Sequence, residues 1–295
     1  MSQSSQSNPA LADLRRRIDA VDDRLLDLLG ERARLMDEVR AAKSSEGKAD
    51  PTLARPGREQ AILRRLVART RDPLPPDLVV RLWRDIMASL TRLQGPFAIA
   101  VLKTESDPSI MALARQHYGQ STPLLPAGSP AQVFARLTDG RAQLALLPTP
   151  EDAPQQDWWR NLDPSDLQVL ARLPVDATER APGALVVGRQ PFDRSDNDRG
   201  LLVVSASDET SRARLTKAFA AAGIALSGVI AESERGDRRS FLVVCETYVA
   251  PDDARLSALA DAGFAAKVAG GYALPLGLAG EKPRRTMQTS RGASR

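Results

Sequence analysis

The chain has 295 residues, a formal net charge of +4 and 42% hydrophobic residues, which predicts two or three domains with substantial cores. Its one cysteine, Cys245, excludes an internal disulfide framework and is expected in a strand core. The single histidine, His117, argues against a histidine-based metal site, and no residues have metal-ligand spacing, so we expect no metal. No stretch approaches the roughly 20 apolar residues of a membrane span, and the polar start "MSQSSQSNPALAD" is unlike a secretory signal. We therefore expect a cytoplasmic protein without membrane contacts.

The basic isoelectric point, near 9.5, raises the question of nucleic-acid binding. Basic residues are spread along the sequence with acidic residues between them, and aromatic residues make up only 4% of the chain. That content is too low for base-stacking surfaces. We rank a nucleic-acid-binding protein last among the functional hypotheses; salt-dependent binding would indicate it.

The first element is a long amphipathic helix predicted over residues 11–43. Its apolar stripe recurs at spacings of three and four residues. The members are Leu14, Ile18, Val21, Leu25, Leu28, Leu35 and Val39. Two cations, Arg32 and Lys43, occupy positions on the same stripe.

These two cations permit two interpretations. They are eleven residues apart, so they share one helix face within roughly 20° and lie about 16 Å apart along the axis. They either hold a small anion between them or lay their stems on the stripe with their charged ends in water. Arg58 and Glu59 begin a second predicted helix and Gln94 ends a third, which runs from residue 77. All five side chains could converge between three packed helices, where ligand sites of helical bundles occur.

Arg15 lies on the same helix but does not fit the same single-chain site. It is about 25 Å from Arg32 along the axis and roughly 100° around it. If Arg15 belongs to the site, it must come from a second protomer. A helix of this length also exposes more apolar surface than one short and one medium helix can cover, which predicts a two-fold partner.

The remainder of the chain alternates between strand-like and helical patterns. Residues 97–190 predict an α/β segment, and residues 200–277 follow the order β-α-β-β-α-β of a ferredoxin-like unit. We expect residues 1–10 and the basic tail at 280–295 to be disordered. The predicted fold class is a multidomain chain, all-α at the N-terminus and α/β after it.

Residues 11–94 resemble the all-helical, prokaryotic type II chorismate mutase family. The matching segments are "LRRRIDAVD", "LLGER", "VRAAK", "REQAIL" and "RLWRDIMASLTRLQ", and they cover the whole of a domain placed at residues 11–95. The resemblance implies an intertwined homodimer in which one arginine of each site comes from the partner. That implication agrees with the position of Arg15.

The resemblance also implies the chemistry. Chorismate is a dianion that rearranges to prephenate by an intramolecular pericyclic shift, without a nucleophile, metal or cofactor. Catalysis depends on holding the reactive conformer and stabilising charge at the breaking ether oxygen. By resemblance, the site consists of substrate-binding Arg15 (from the partner), Arg32 and Arg58, and catalytic Lys43, Glu59 and Gln94.

Each of these residues has an implied role. Arg15 and Arg32 bind carboxylates, because a planar guanidinium suits bidentate binding, and Arg58 helps to shape the site. Lys43 serves a carboxylate and the ether oxygen. Gln94 donates to the ether oxygen, and Glu59 orients the ring hydroxyl.

Two positions depart from the family pattern. Arg55 stands where the family often has an aspartate, three residues before the Arg-Glu pair. Leu90 stands where a small hydroxyl residue is usual, four residues before the final Gln94. Each change removes a contact with substrate but keeps the charged residues, so we expect the activity to survive with weaker binding.

The whole chain resembles the fused chorismate mutase–prephenate dehydratase that ends in an ACT regulatory domain. Its dehydratase positions are altered, because "TPED" follows Pro148 where Glu-Asn is expected, and residues 182–184 replace Thr-Arg-Phe. The effector-binding Gly-Ala-Leu of the ACT domain aligns with residues 210–212, which are Thr-Ser-Arg. We expect a truncated, degenerate dehydratase segment without activity, and an ACT-like domain that serves as a scaffold or in dimerisation.

The sequence thus favours a chorismate mutase of phenylalanine and tyrosine biosynthesis, with chorismate as its small-molecule partner. The alternative is a non-catalytic dimeric regulator or small-molecule sensor of the same pathway. The joint presence of the six site residues favours the enzyme, because a protein that only dimerises has no need of them.

Overall fold

The computed structural model describes residues 9–45, 53–103, 109–163, 165–177, 183–195 and 197–278. In the first helix, the side chains of residues 40 and 43–45 lie outside this description. The expected disorder of residues 1–10 and 280–295 falls outside the described residues except at residues 9 and 10, where it is wrong because both belong to the first helix. Within the described ranges, no helix combines the length and apolarity needed to cross a membrane.

Three helices form the N-terminal part of the chain: α1 Pro9–Ser45, α2 Pro56–Arg69 and α3 Pro76–Gln94. Both α2 and α3 carry proline in the first turn, where the missing N–H is not needed and the fixed φ favours a helix. α1 starts two residues before its predicted start and ends two residues after its predicted end. The expected three-helix unit is therefore present.

The long helix leaves its apolar stripe exposed in the single chain. Leu14, Ile18 and Leu28 are 50%, 59% and 58% solvent-exposed. On α3, Leu82 and Leu93 are also exposed, and the buried side of that helix is formed instead by residues such as Val80 and Met87. A continuous row of exposed apolar side chains along one helix is unusual for an isolated chain.

The strands among the described residues after α3 form one nine-stranded sheet. The strands are β1 Ile99–Leu102, β2 Leu124–Ala127, β3 Leu144–Pro148, β4 Gln168–Leu173, β5 Ala184–Gly188, β6 Asp198–Ser207, β7 Leu226–Arg235, β8 Arg238–Cys245 and β9 Ala265–Ala273. Their spatial order is β2-β1-β3-β5-β4-β9-β6-β8-β7. The accompanying helices are α4 Ser109–Tyr118, α5 Pro130–Thr138, α6 Arg212–Ala221 and α7 Arg255–Asp261.

The two ends of the sheet have different connectivity. β1 pairs in parallel with β2 and β3, as in an α/β segment. At the other end, β9, β6, β8 and β7 are antiparallel neighbours, in the chain order β6-α6-β7-β8-α7-β9. This is a split β-α-β arrangement, with β8 between β6 and β7.

The two ends meet at one parallel pairing between β4 and β9, in which Val169 is opposite Gly270. Gly270 has φ +101°, and a Cβ there would lie 2.2 Å from the carbonyl oxygen of Val169. Only glycine combines this backbone conformation with so close an approach. The sheet is therefore continuous across the predicted domain limit between residues 190 and 200.

The helical unit shares a core with the first half of the sheet. Leu63 of α2 and Met87 of α3 belong to the same buried cluster as Ile99, Leu146 and Leu170 of the strands. Residues from α2 also bond to the chain after β9, since Arg64 Nη2 donates to the carbonyl oxygen of Leu274 at 2.6 Å. The helices are thus attached to the sheet by both apolar and polar contacts.

Candidate active site

A cavity of about 290 Å³ lies between the three N-terminal helices. Its wall combines three guanidinium groups, one carboxylate and one amide with apolar side chains. The lining residues are Arg32, Met36, Val39, Leu53, Arg55, Arg58, Glu59, Ile62, Met87, Leu90, Thr91 and Gln94. A pocket of this kind orients a ligand by a few polar groups on an otherwise apolar surface.

Arg32 is the cation that α1 places in this cavity. Its side chain is partly buried, and its Nη1 atom is buried without a hydrogen-bond partner among the described residues. Burial and the nearby Arg58 lower the pKa of the Arg32 guanidinium, and Glu59 opposes this shift. A partly desolvated cation interacts more strongly with an anion than one in bulk water does. Arg32 is therefore available to an anionic ligand.

Glu59 lies in the first turns of α2, beside Arg32 and Arg58. Burial raises the pKa of its carboxyl group to about 7, and the negative charge of Asp193 acts in the same direction. A hydrogen bond from the Arg55 backbone and the charge of Arg32 oppose the shift without cancelling it. The carboxyl group therefore exchanges its proton near neutral pH.

The structure brings together four of the six predicted site residues, namely Arg32, Arg58, Glu59 and Gln94. Gln94 is the last residue of α3, and its Nε2 atom donates to the carbonyl oxygen of Leu90 at 3.2 Å. The backbone of Lys43 continues α1, but its side chain lies outside the description. Arg15 is exposed on α1 and does not line the cavity of its own chain.

Both positions that depart from the family pattern, Arg55 and Leu90, also line the cavity. Arg55 Nη2 donates to Asp193 Oδ1 at 2.7 Å, and the backbone N–H of Arg58 donates to Asp193 Oδ2 at 3.0 Å. Sequence reasoning missed Asp193 entirely. The sequence contained one indication of such a contact. Arg55, which precedes Pro56 at the start of α2, cannot cap the helix with its side chain, so another residue must do so.

Two further cavities occur in the second half of the chain, of about 470 and 510 Å³. Asp152 lines both of them. Its Oδ2 atom accepts a hydrogen bond from the Thr149 hydroxyl and another, of 2.8 Å, from the N–H of Gly183. In the described ranges, no group of three or more His, Cys, Asp or Glu residues could hold a metal ion.

Residues 14–95 match the chorismate mutase type II family. A bifunctional chorismate mutase/prephenate dehydratase of Pseudomonas aeruginosa is 34% identical over 141 residues, or 47% of this chain. The chain spans 38% of the length of that relative. Among solved structures, the prephenate dehydratase from Streptococcus mutans gives a TM-score of 0.43 at 17% identity, over 60% of this chain and 97% of that one. GqqA, described as a novel type of quorum-quenching acylase, also gives 0.43 at 17% identity, over 61% and 96%.

Proposed function

We propose that this chain, which carries a chorismate mutase type II domain at residues 14–95, converts chorismate to prephenate. The observation that carries the proposal is the convergence of Arg32, Arg58, Glu59 and Gln94 on one cavity between three helices. The cavity offers cationic and amide groups to a small dianion and a carboxyl group to its hydroxyl. These groups suit the rearrangement, because it requires a held conformer and stabilised charge and no nucleophile.

The proposed catalysis rests on positioning and electrostatics. Arg32, a partly desolvated cation that lines the cavity, binds a substrate carboxylate, and Arg58 contributes to the same anionic end. Gln94 would turn its amide from the Leu90 carbonyl to the ether oxygen, where negative charge develops as the bond breaks. Glu59 orients the ring hydroxyl. Lys43, whose backbone continues the same helix, would neutralise a carboxylate and the ether oxygen.

We further propose that the active form is a homodimer in which Arg15 completes the partner's site. The exposed apolar stripe of α1 supports this proposal, because a second copy of the helix would remove that stripe from water. Arg15 is exposed and outside the cavity of its own chain, as a residue that acts across an interface would be.

The central test measures the loss of chorismate absorbance with the purified full-length chain. We expect turnover by the wild type and a fall in kcat/KM of about 100-fold or more for Arg32→Ala and for Lys43→Ala, the typical cost of losing a transition-state donor. Arg141→Ala is the matched control, because Arg141 is exposed, forms an ion pair with neighbouring Asp139 and does not line the cavity. A wild type that consumes chorismate no faster than the uncatalysed reaction would contradict the proposal.

We propose that the second half of the chain has no dehydratase activity and acts as an ACT-like scaffold. Gly183 occupies a position where the resemblance expects the guanidinium side chain of a dehydratase, and "TPED" after Pro148 replaces the expected Glu-Asn. In the structure, the N–H of Gly183 and the hydroxyl of Thr149 both donate to Asp152. The N–H of Thr149 donates to the carbonyl oxygen of Gly183. Prephenate incubated with the full chain should therefore release carbon dioxide no faster than in buffer at the same pH. Faster release that survives Arg32→Ala would show that the second half is active.

A further inference from the structure

The segment between β5 and β6 contacts the start of α2, at the edge of the proposed mutase site. Asp193 of this segment accepts a hydrogen bond of 3.0 Å from the backbone N–H of Arg58. Its other carboxylate oxygen accepts one of 2.7 Å from the guanidinium of Arg55. Asp193 itself lies outside the chorismate mutase type II match, which ends at residue 95.

The first of these bonds replaces a missing helix cap. The N-cap position of α2 is Arg55, which makes no side-chain capping bond. Arg58 is the third residue of the helix, and its N–H is one that an N-cap Ser, Thr, Asp or Asn normally satisfies. A carboxylate at this point also interacts favourably with the positive end of the helix dipole. Asp193 therefore supplies from a distant segment what the local sequence lacks.

Close backbone packing fixes the position of this segment. A Cβ on Gly57 would lie 1.7 Å from the carbonyl oxygen of Asp193, so the two backbone segments approach each other where only glycine fits. Nearby, Gln190 Nε2 donates to the carbonyl oxygen of Ala54 at 3.3 Å. A backbone contact at Asp193 and a side-chain hydrogen bond from Gln190 thus hold this segment against the start of α2. Arg55 binds the Asp193 carboxylate.

We propose that Asp193 is a positioning residue for the mutase site, which caps α2 and thereby orients Arg58 and Glu59 toward the substrate. The inference rests on the proposed function and deepens it, because it makes mutase efficiency depend on a residue from the second half of the chain. Arg58 carries the capped N–H itself, and Glu59 follows it directly. Disorder in this first turn would therefore move both side chains relative to Arg32.

The experiment compares chorismate turnover by full-length variants. Asp193→Ala should lower kcat/KM about tenfold, since it removes both hydrogen bonds. Asp193→Asn keeps an acceptor for the Arg58 N–H and should lose only about threefold. Asp166→Asn is the matched control, because it breaks another exposed Asp–Arg pair, with Arg189, away from the cavity.

The decisive variant moves the carboxylate to the helix itself. In a chain that already carries Arg55→Asp, which places a capping side chain at the N-cap position, adding Asp193→Ala should change kcat/KM by less than about threefold. Because Arg55 lines the cavity, the reference for the double variant is Arg55→Asp alone. Hydrogen exchange at the start of α2 should rise in Asp193→Ala and fall again in the double variant.

Three results would overturn the inference. Asp193→Ala could match the wild type and Asp166→Asn in kcat/KM. Alternatively, the double variant could match Arg55→Asp in thermal midpoint and in exchange at α2 but fall well below it in kcat/KM, which would show that capping of α2 does not explain the effect of Asp193 on turnover. If Asp193→Ala does not fold, Asp193→Asn takes its place in the test. The inference is then overturned if Asp193→Asn equals the wild type in chorismate turnover and in hydrogen exchange at the start of α2. A wild type without turnover is a different failure, since it removes the proposed function itself.

Discussion

The carboxyl group of Glu59 has a pKa near 7 because the folded chain buries it between charged neighbours. A folded-state pKa above the ordinary value of 4.5 means that folding favours the protonated form. Stability from this group is therefore fully present below about pH 4.5 and is lost as pH rises toward 7. The free-energy cost of ionising the buried Glu59 carboxyl group is removed when the group is protonated or when the residue is replaced by a neutral one.

Glu59→Gln should remove this pH-dependent loss. The difference in free energy of unfolding between the variant and the wild type should grow in favour of the variant by roughly 1–3 kcal/mol from pH 5 to pH 8. This range is smaller than the full pKa shift implies, because the side chain is partly exposed. His117, whose pKa burial lowers to about 3, contributes an opposite trend that cancels in the difference.

Urea unfolding at several pH values measures this difference. Glu209→Gln serves as the matched control, because Glu209 is exposed in the turn before α6 and far from the cavity in sequence. A constant difference between Glu59→Gln and the wild type across this pH range would contradict the prediction. Chorismate turnover by the same variant should fall, since the neutral amide oxygen of Gln accepts a weaker hydrogen bond from the ring hydroxyl than a carboxylate does.

At the scale of single elements, periodicity predicted the N-terminal helices and the position of Arg32 on their inner face. Arg32 could be identified because it interrupts an apolar stripe, and Arg58, Glu59 and Gln94 because they begin or end helices. These are local signals, since helix periodicity places residues three and four apart on one face. They are enough to assemble four residues around one cavity.

Contacts between distant elements could not be predicted in this way. Arg84 of α3 is only 3% exposed and faces Asp176 at 3.7 Å, yet its position in the sequence looks like that of an ordinary surface arginine. Asp193 contacts a helix 135 residues earlier in the chain. Gly270 joins the two ends of the sheet through one pairing with Val169. No local pattern in composition or hydropathy specifies such partners.

At the scale of the whole molecule, the described chain has one surface that a single copy does not cover. The apolar stripe runs along α1 from Leu14 to Val39, and both of these residues are about half exposed. Leu82 and Leu93 of α3 extend the apolar surface beyond that helix. Removing such a surface from water favours association by roughly 25 cal/mol per Å² before the costs of binding. We therefore expect light scattering to give twice the chain mass of 31.9 kDa.

The proposed homodimer predicts that each active site contains residues of both chains. When Arg15→Ala and Arg32→Ala chains are unfolded, mixed and refolded, half of the dimers should be mixed by statistics. A mixed dimer has one cavity with its own Arg32 and the partner's intact Arg15, so chorismate turnover should rise well above that of either parent. The other cavity of the same dimer lacks both arginines.

The matched control mixes Arg32→Ala with Glu59→Gln chains in the same way. Arg32 and Glu59 line the same cavity of one chain, so each site of that mixed dimer keeps one defect and turnover should not exceed the mean of the parents. Recovery in both mixtures would point to exchange or refolding effects rather than a shared site. Mixed dimers that form, as mass spectrometry can verify, but recover no activity in the Arg15 mixture would show that Arg15 does not act on the partner. The location of one arginine thus decides whether the exposed stripe of α1 serves assembly alone or also completes the catalytic site.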